Sequence, residues 1–155
     1  MHFYDELNEL LMETFKVLLK GEEKSLQRTE GGLTISEFHL IETIAKDEKR
    51  RVRITDLANA LKISLPSVTV AVQKLEQKGY VERIKSLEDA RSIHIELTER
   101  GVKANDSHVR FHNHMVRLIT DHLNDDEKEV LYKTIYKMNR FFKKLFEKPE
   151  TFTKF

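Results

Sequence analysis

Residues 54–97 read ITDLANALKISLPSVTVAVQKLEQKGYVERIKSLEDARSIHIEL, and this stretch decides the fold. Thr55 and Asp56 open a short helix whose buried side is marked by Leu57, Ala58 and Leu61 at helical spacing. Lys62 and Ile63 form a turn. Ser64 is a suitable N-cap, since its hydroxyl can accept from a first-turn amide, and Pro66 falls in that turn, where no intrahelical donor is lost. A second helix runs from there to about Lys78, and Gly79 ends it. At about 100° per residue, Leu65, Val68, Ala71, Val72 and Leu75 gather on one side of this helix. Pro66, Ser67, Thr69, Val70, Gln73 and Lys74 occupy the other.

Two β-prone runs follow. Tyr80 to Lys85 alternates loosely, whereas Ser92 to Leu97 alternates strictly, with Ile93, Ile95 and Leu97 on one side. Between them, Ser86 to Arg91 is a polar connection with Asp89 and Arg91 close to its tip. Helix, turn, helix and hairpin together make a winged helix-turn-helix, so the expectation is binding of duplex DNA: the second helix fills the major groove and the basic hairpin reaches backbone or minor groove. The short side chains let the helix backbone sit deep. Gln73 can pair with a base edge and Val70 can meet a thymine methyl, while Ser64, Thr69 and Lys74 suit phosphates. Pro66, Ser67 and Lys85 complete the candidate surface. Asp89 would brace the Arg91 guanidinium in a narrow minor groove.

The flanks look built to pair. Phe3, Leu7, Leu10, Leu11, Phe15, Leu18 and Leu19 recur at helical spacing over residues 3–20, with Gly21 near the stop. Asn124 and Glu127 form a capping-box pattern ahead of Val130, Leu131, Ile135, Met138, Phe141, Phe142, Leu145 and Phe146. So broad a stripe predicts a dimer interface across a two-fold axis, to which Phe152 and Phe155 on the tail would add. A helix from about Glu99 to Leu123, capped by Thr98, links the two parts, and another from about Ser36 to Lys46 begins at the Thr34 and Glu37 capping pair. The fold class expected is mainly α with a small β-hairpin, a winged helix-turn-helix with long terminal dimerisation helices. Its divisions are an N-terminal dimerisation helix over 1–32, the winged module over 33–98, and connecting and dimerisation helices over 99–155.

Composition fits this reading. At 155 residues with 39% hydrophobic content, the chain suits one domain, or a small domain with a helical extension. Zero cysteines exclude disulfides and thiolate sites, and the lack of an 18-residue apolar run or signal-peptide pattern predicts a cytoplasmic protein. Net charge is only +1, yet residues 50–91 hold nine Lys or Arg against five Asp or Glu. No nucleophile with its base, glycine-rich phosphate loop or convergent acid pair is visible, so the chain reads as no enzyme.

The run Ile54 to Lys78, the Gly79-Tyr80-Val81 step, and the Asp89-Ala90-Arg91 wing followed by Ile93 to Gly101 resemble the MarR family of bacterial transcriptional regulators. The resemblance extends over nearly the whole chain. It implies an obligate homodimer, recognition by the second helix, and Arg91 on DNA. Two such heads fit a palindromic operator with half-sites about one helical turn apart, and a ligand that favours one arrangement of the heads would shift their separation. A closer likeness, through Glu37-Phe38-His39, Lys78 to Arg83, His94, and Arg110-Phe111-His112 before Met115-Val116, is to the fatty-acid-synthesis repressors of that family. It implies an acyl chain on an acyl carrier protein as corepressor. Phe38, Phe111 and Met115, with His39, His108 and His112, would line its pocket. In the zinc-responsive branch, histidines at comparable places bind metal, so a His39, His108, His112 site is an alternative. Against it, this chain has neither that branch's histidine run nor a cysteine; Glu22, Glu23 or Glu30 would have to substitute. A winged-helix protein-interaction module that reads no DNA also stays open.

Overall fold

The structure, a computed structural model, describes residues 2–85 and 92–147. The element order is α1 (Phe3–Gln27), α2 (Ile35–Ala45), β1 (Arg51–Arg53), α3 (Ile54–Leu61), α4 (Leu65–Gln77), β2 (Val81–Lys85), β3 (Ile93–Leu97), α5 (Glu99–Thr120) and α6 (Asp125–Glu147). It divides into two compact units, one ending at Phe111 and one beginning at His112. Among the described residues, no helix is long and apolar enough to cross a membrane.

The helix starts follow their caps. Thr34 accepts from the Glu37 amide at 3.1 Å while the Glu37 carboxylate accepts from the Thr34 amide at 3.0 Å, a reciprocal box that satisfies two first-turn donors of α2. Asn124 and Glu127 do the same for α6, at 3.0 and 2.8 Å. Ser64 accepts from the Ser67 amide at 3.3 Å at the head of α4. The turn between α3 and α4 closes on Lys62, which is left-handed at φ 54°, and α4 ends ahead of Gly79 at φ 77°, where a Cβ would be strained.

The first unit has a continuous core. Leu33, Phe38, Ile41 and Ile44 meet Leu57, Val68, Val72 and Leu75 from the helix pair and Tyr80, Val81, Ile95 and Leu97 from the sheet. The last helix of the second unit buries nothing: α6 has no buried residue over its whole length.

Several sequence expectations need correction. The hairpin is part of a three-stranded antiparallel sheet of order β1-β3-β2, with Val52 opposite Ile95 and Arg83 opposite Ile95 on the other side. β1 escaped detection because three residues give too little alternation to read. The first helix does not stop at Gly21 but continues to Gln27, since an interior glycine costs only about 1 kcal/mol relative to alanine and Leu26, 1% exposed, anchors the far end. α3 begins at Ile54, one residue early, and Arg53 supplies no side-chain cap. α5 ends at Thr120 rather than Leu123, because the cap at Asn124 draws the preceding residues out of helix. Leu65, expected on the core side of its helix, and Ile93, which shares a strand face with buried Ile95 and Leu97, are exposed at 44% and 41%, each lying at the open end of its element. Asp89, Arg91, Phe152 and Phe155 lie outside the described residues.

Candidate nucleic-acid interface

α4 divides its residues as its spacing demands. Val68, Val72 and Leu75 are fully buried, while Pro66, Ser67, Val70, Gln73 and Lys74 are exposed along the opposite face. With the inner face held by the core, the outer one is a rigid ridge of small, polar and cationic groups, the shape and chemistry that a major groove accepts. Three hydroxyls there already have internal bonds. Ser64 and Ser67 share one at 2.8 Å in addition to the cap, and half-buried Thr69 donates to the Leu65 carbonyl at 2.8 Å. Thr69 must break its bond to donate to a phosphate, whereas the accepting hydroxyl of the Ser64–Ser67 pair keeps its proton for one. Val70, 53% exposed, stands proud as an apolar contact.

The wing's base is held to the module by ion pairs. Glu76 on α4 meets Arg83 on β2 at 3.3 Å, and Arg51 on β1 places Nε and Nη2 at 2.9 and 2.6 Å from one Glu96 oxygen on β3. Lys85 is exposed at the end of β2, where the strand enters the wing.

A groove of about 670 Å³ runs between α2 and α4, lined by Ser36, His39 and Leu40 on one side and by Ile63, Pro66, Val70 and Lys74 on the other. Sequence reading missed it, although Ile63, an apolar residue in a polar turn, was a signal. At its edge, Glu37 and Lys78 form a half-buried ion pair at 2.8 Å. Burial raises the Glu37 pKa, but the Lys78 ammonium and the Thr34 amide and hydroxyl bonds outweigh it, leaving the carboxyl below its ordinary value.

The expected effector pocket is split. Phe38 is buried with its ring 3.9 Å from that of His108, which in turn lies 6.1 Å from Phe111. His39, one residue on, points about 100° away and is exposed in the α2–α4 groove. His108, 8% exposed, has its Nε2 3.2 Å from the Glu22 carboxylate. His112 follows one turn later on α5, with Met115 beyond it, both half-buried. The three histidines proposed as a metal set are therefore not gathered: His39 faces a different part of the module from His108.

A profile of the MarR family matches residues 33–93. The HTH-type transcriptional regulator SarZ of Staphylococcus haemolyticus is 34% identical over 93 residues, 60% of this chain and 60% of that protein. The transcriptional repressor MprA of Escherichia coli is 30% identical over 95 residues, 61% of this chain and 53% of MprA. The match thus spans less than two thirds of these relatives' lengths. Over a longer range, the structure superimposes on Streptococcus pneumoniae FabT, solved in complex with DNA, with a TM-score of 0.80 and 33% identity, covering 92% of this chain and 99% of that one.

Proposed function

This chain belongs to the MarR family, and on that premise we propose that it is a transcription regulator, most simply a repressor, that binds duplex DNA sequence-selectively as a homodimer on a palindromic operator. The observation that carries the reading is the outward face of α4, a fixed ridge of Ser67, Val70, Gln73 and Lys74 backed by a solid core. Gln73 reads a base edge, Val70 meets a thymine methyl, and Lys74 holds phosphates together with the Ser64 and Thr69 hydroxyls, which donate to them. Asp89 and Arg91 act in the wing. The dimer forms through the apolar faces of α1 and α6, the first exposed from Phe3 to Leu19 and the second without a buried residue. No catalytic role is assigned: relatives of the chain are named as transcriptional regulators and repressors.

The resemblance of Glu37-Phe38-His39, Lys78 to Arg83 and Arg110-Phe111-His112 to the fatty-acid-synthesis repressors supports an acyl chain on a carrier protein as effector, with Phe38, His108 and Phe111 at one wall of its pocket and control of fatty-acid synthesis as the role. Zinc is the competing effector, and His108 beside Glu22 is the part of that idea the geometry favours. Two experiments decide these points. Selection from a random duplex pool should enrich one palindrome with half-sites about one helical turn apart; enrichment of nothing would sink the regulator reading and leave the protein-interaction module. Native mass spectrometry of freshly purified protein should then show an acyl adduct mass, and bound zinc instead would replace the lipid proposal.

A further inference from the structure

The residues that follow the recognition helix are tied to two other parts of the first unit at once. The loop joining α1 to α2 turns through Gly31 and Gly32, both at positive φ, and presents its carbonyls inward. Lys78, the C-cap of α4, donates to the Gly32 carbonyl at 3.0 Å while pairing with Glu37. Tyr80, two residues on and 1% exposed, donates its hydroxyl to the Glu30 carbonyl. The same carbonyl takes a second donor, Nη2 of Arg100 at 2.5 Å. Arg100 sits in the first turn of α5, and its guanidinium carbon lies 4.8 Å from the Tyr80 ring centroid. Nη2 of Arg100 is also 3.9 Å from a Glu30 carboxylate oxygen.

The other side of the junction is equally close. Thr98 donates its hydroxyl to the Gly79 carbonyl at 2.7 Å and its amide to the Tyr80 carbonyl at 3.1 Å. A Cβ on Gly101 would lie 2.2 Å from that Tyr80 oxygen, so the backbone of α5 touches the backbone that ends α4. Residues 78–80 are thereby clamped between the α1–α2 loop and the start of α5. Arg100 is the side chain that grips the loop from α5 while stacking on Tyr80.

We infer that Arg100 is a positioning residue for DNA reading: through Tyr80 and the Glu30 carbonyl, it fixes the angle of α4 against the end of α1 and the start of α5. This rests on the DNA-reading proposal above. The physical reason is that α1 and α5 are the two helices that lead out of the winged module. A head held rigidly on them presents its ridge at one separation from its twin, and a loosened head samples several, of which only a fraction fits a given operator. A guanidinium suits the task, because its planar fork can bond a carbonyl and stack on a ring together.

The test uses the full-length chain and the duplex that the wild type enriches from a random pool. Arg100→Gln should weaken binding to that duplex on the order of tenfold, as expected if about a tenth of the dimers hold both heads correctly set, while affinity for a scrambled duplex stays within about twofold, as phosphate contacts persist. Inserting one base pair between the half-sites should cost the variant less than it costs the wild type, a loss of spacing discrimination that mere destabilisation would not produce. Arg100→Lys keeps the charge and loses the fork, so it should fall between them. If Arg100→Gln does not fold, Tyr80→Phe decides, since it removes only the hydroxyl and should also soften the spacing penalty. A folded variant with the wild-type affinity ratio and wild-type spacing penalty would overturn the inference. A wild type that enriches no duplex would instead remove the DNA-reading premise.

Discussion

α4 and α6 are both amphipathic, yet they use their faces in opposite ways. α4, 13 residues long, turns Val68, Val72 and Leu75 into a core that excludes water and keeps its polar face outside. α6, 23 residues long, leaves Ile135, Phe141 and Phe142 exposed and buries nothing. α1 repeats the second pattern with Leu10, Phe15 and Leu18. A polar outer face backed by a finished core is a surface for a polar partner such as DNA. An apolar outer face on a long helix asks for protein, because contiguous exposed apolar area of this kind is costly in water. The contrast separates the face that a finished core supports from the faces that the proposed dimer would cover.

Substitutions on the two sides should therefore behave differently. Leu57→Ala, in the core beneath α4, should cost about 2–5 kcal/mol of unfolding free energy. If it acts only within one module, the loss read in urea melts should not depend on protein concentration. Phe142→Glu on α6 should weaken the dimer by about 2–4 kcal/mol, the range for an interface anchor. Sedimentation should show monomer at micromolar concentration with the winged module still folded. A fully dimeric Phe142→Glu protein would erase the distinction drawn between the helices.

Finer tests concern the reading face. Arg91→Ala in the wing should lower affinity for the selected duplex by on the order of 1–3 kcal/mol without changing the dimer. Lys74→Ala should weaken all duplexes alike and flatten the salt slope by about one, whereas Gln73→Ala should relax base preference with less effect on scrambled DNA. Identical behaviour of these two would contradict the division between phosphate and base contacts. The smallest effect is expected from Glu37. Its carboxyl titrates below the ordinary value of 4.5 in the folded protein, so its contribution to stability is present above that pH and is lost as pH falls through the lower, folded value. Glu37→Gln should be less stable than wild type near neutrality and lose less stability on acidification below about pH 4.5 in denaturant melts.

Much of this was legible in the chain because local chemistry and global fold agree. The boxes at Thr34 and Asn124, the cap at Ser64 and the stop at Gly79 each fix an element end with bonds that span only a few residues. What sequence reading lost depends on distant partners. β1 exists because Val52 finds Ile95, and Leu26 extends α1 by entering a core built mainly by later residues. His39 joins Phe38 in the expected pocket through a family resemblance, whereas helical geometry sends neighbouring residues to different faces. The Arg100 clamp was invisible for a related reason: the acceptor that Arg100 and Tyr80 share is the backbone carbonyl of Glu30, which carries no signature in the sequence.

The most direct test of the account is a titration of the selected duplex with wild-type protein across a salt series. Two chains per duplex and an affinity that falls steeply and linearly on logarithmic axes are predicted, with the selected duplex preferred throughout. Binding that is weak, indifferent to salt and equal for scrambled DNA would contradict it.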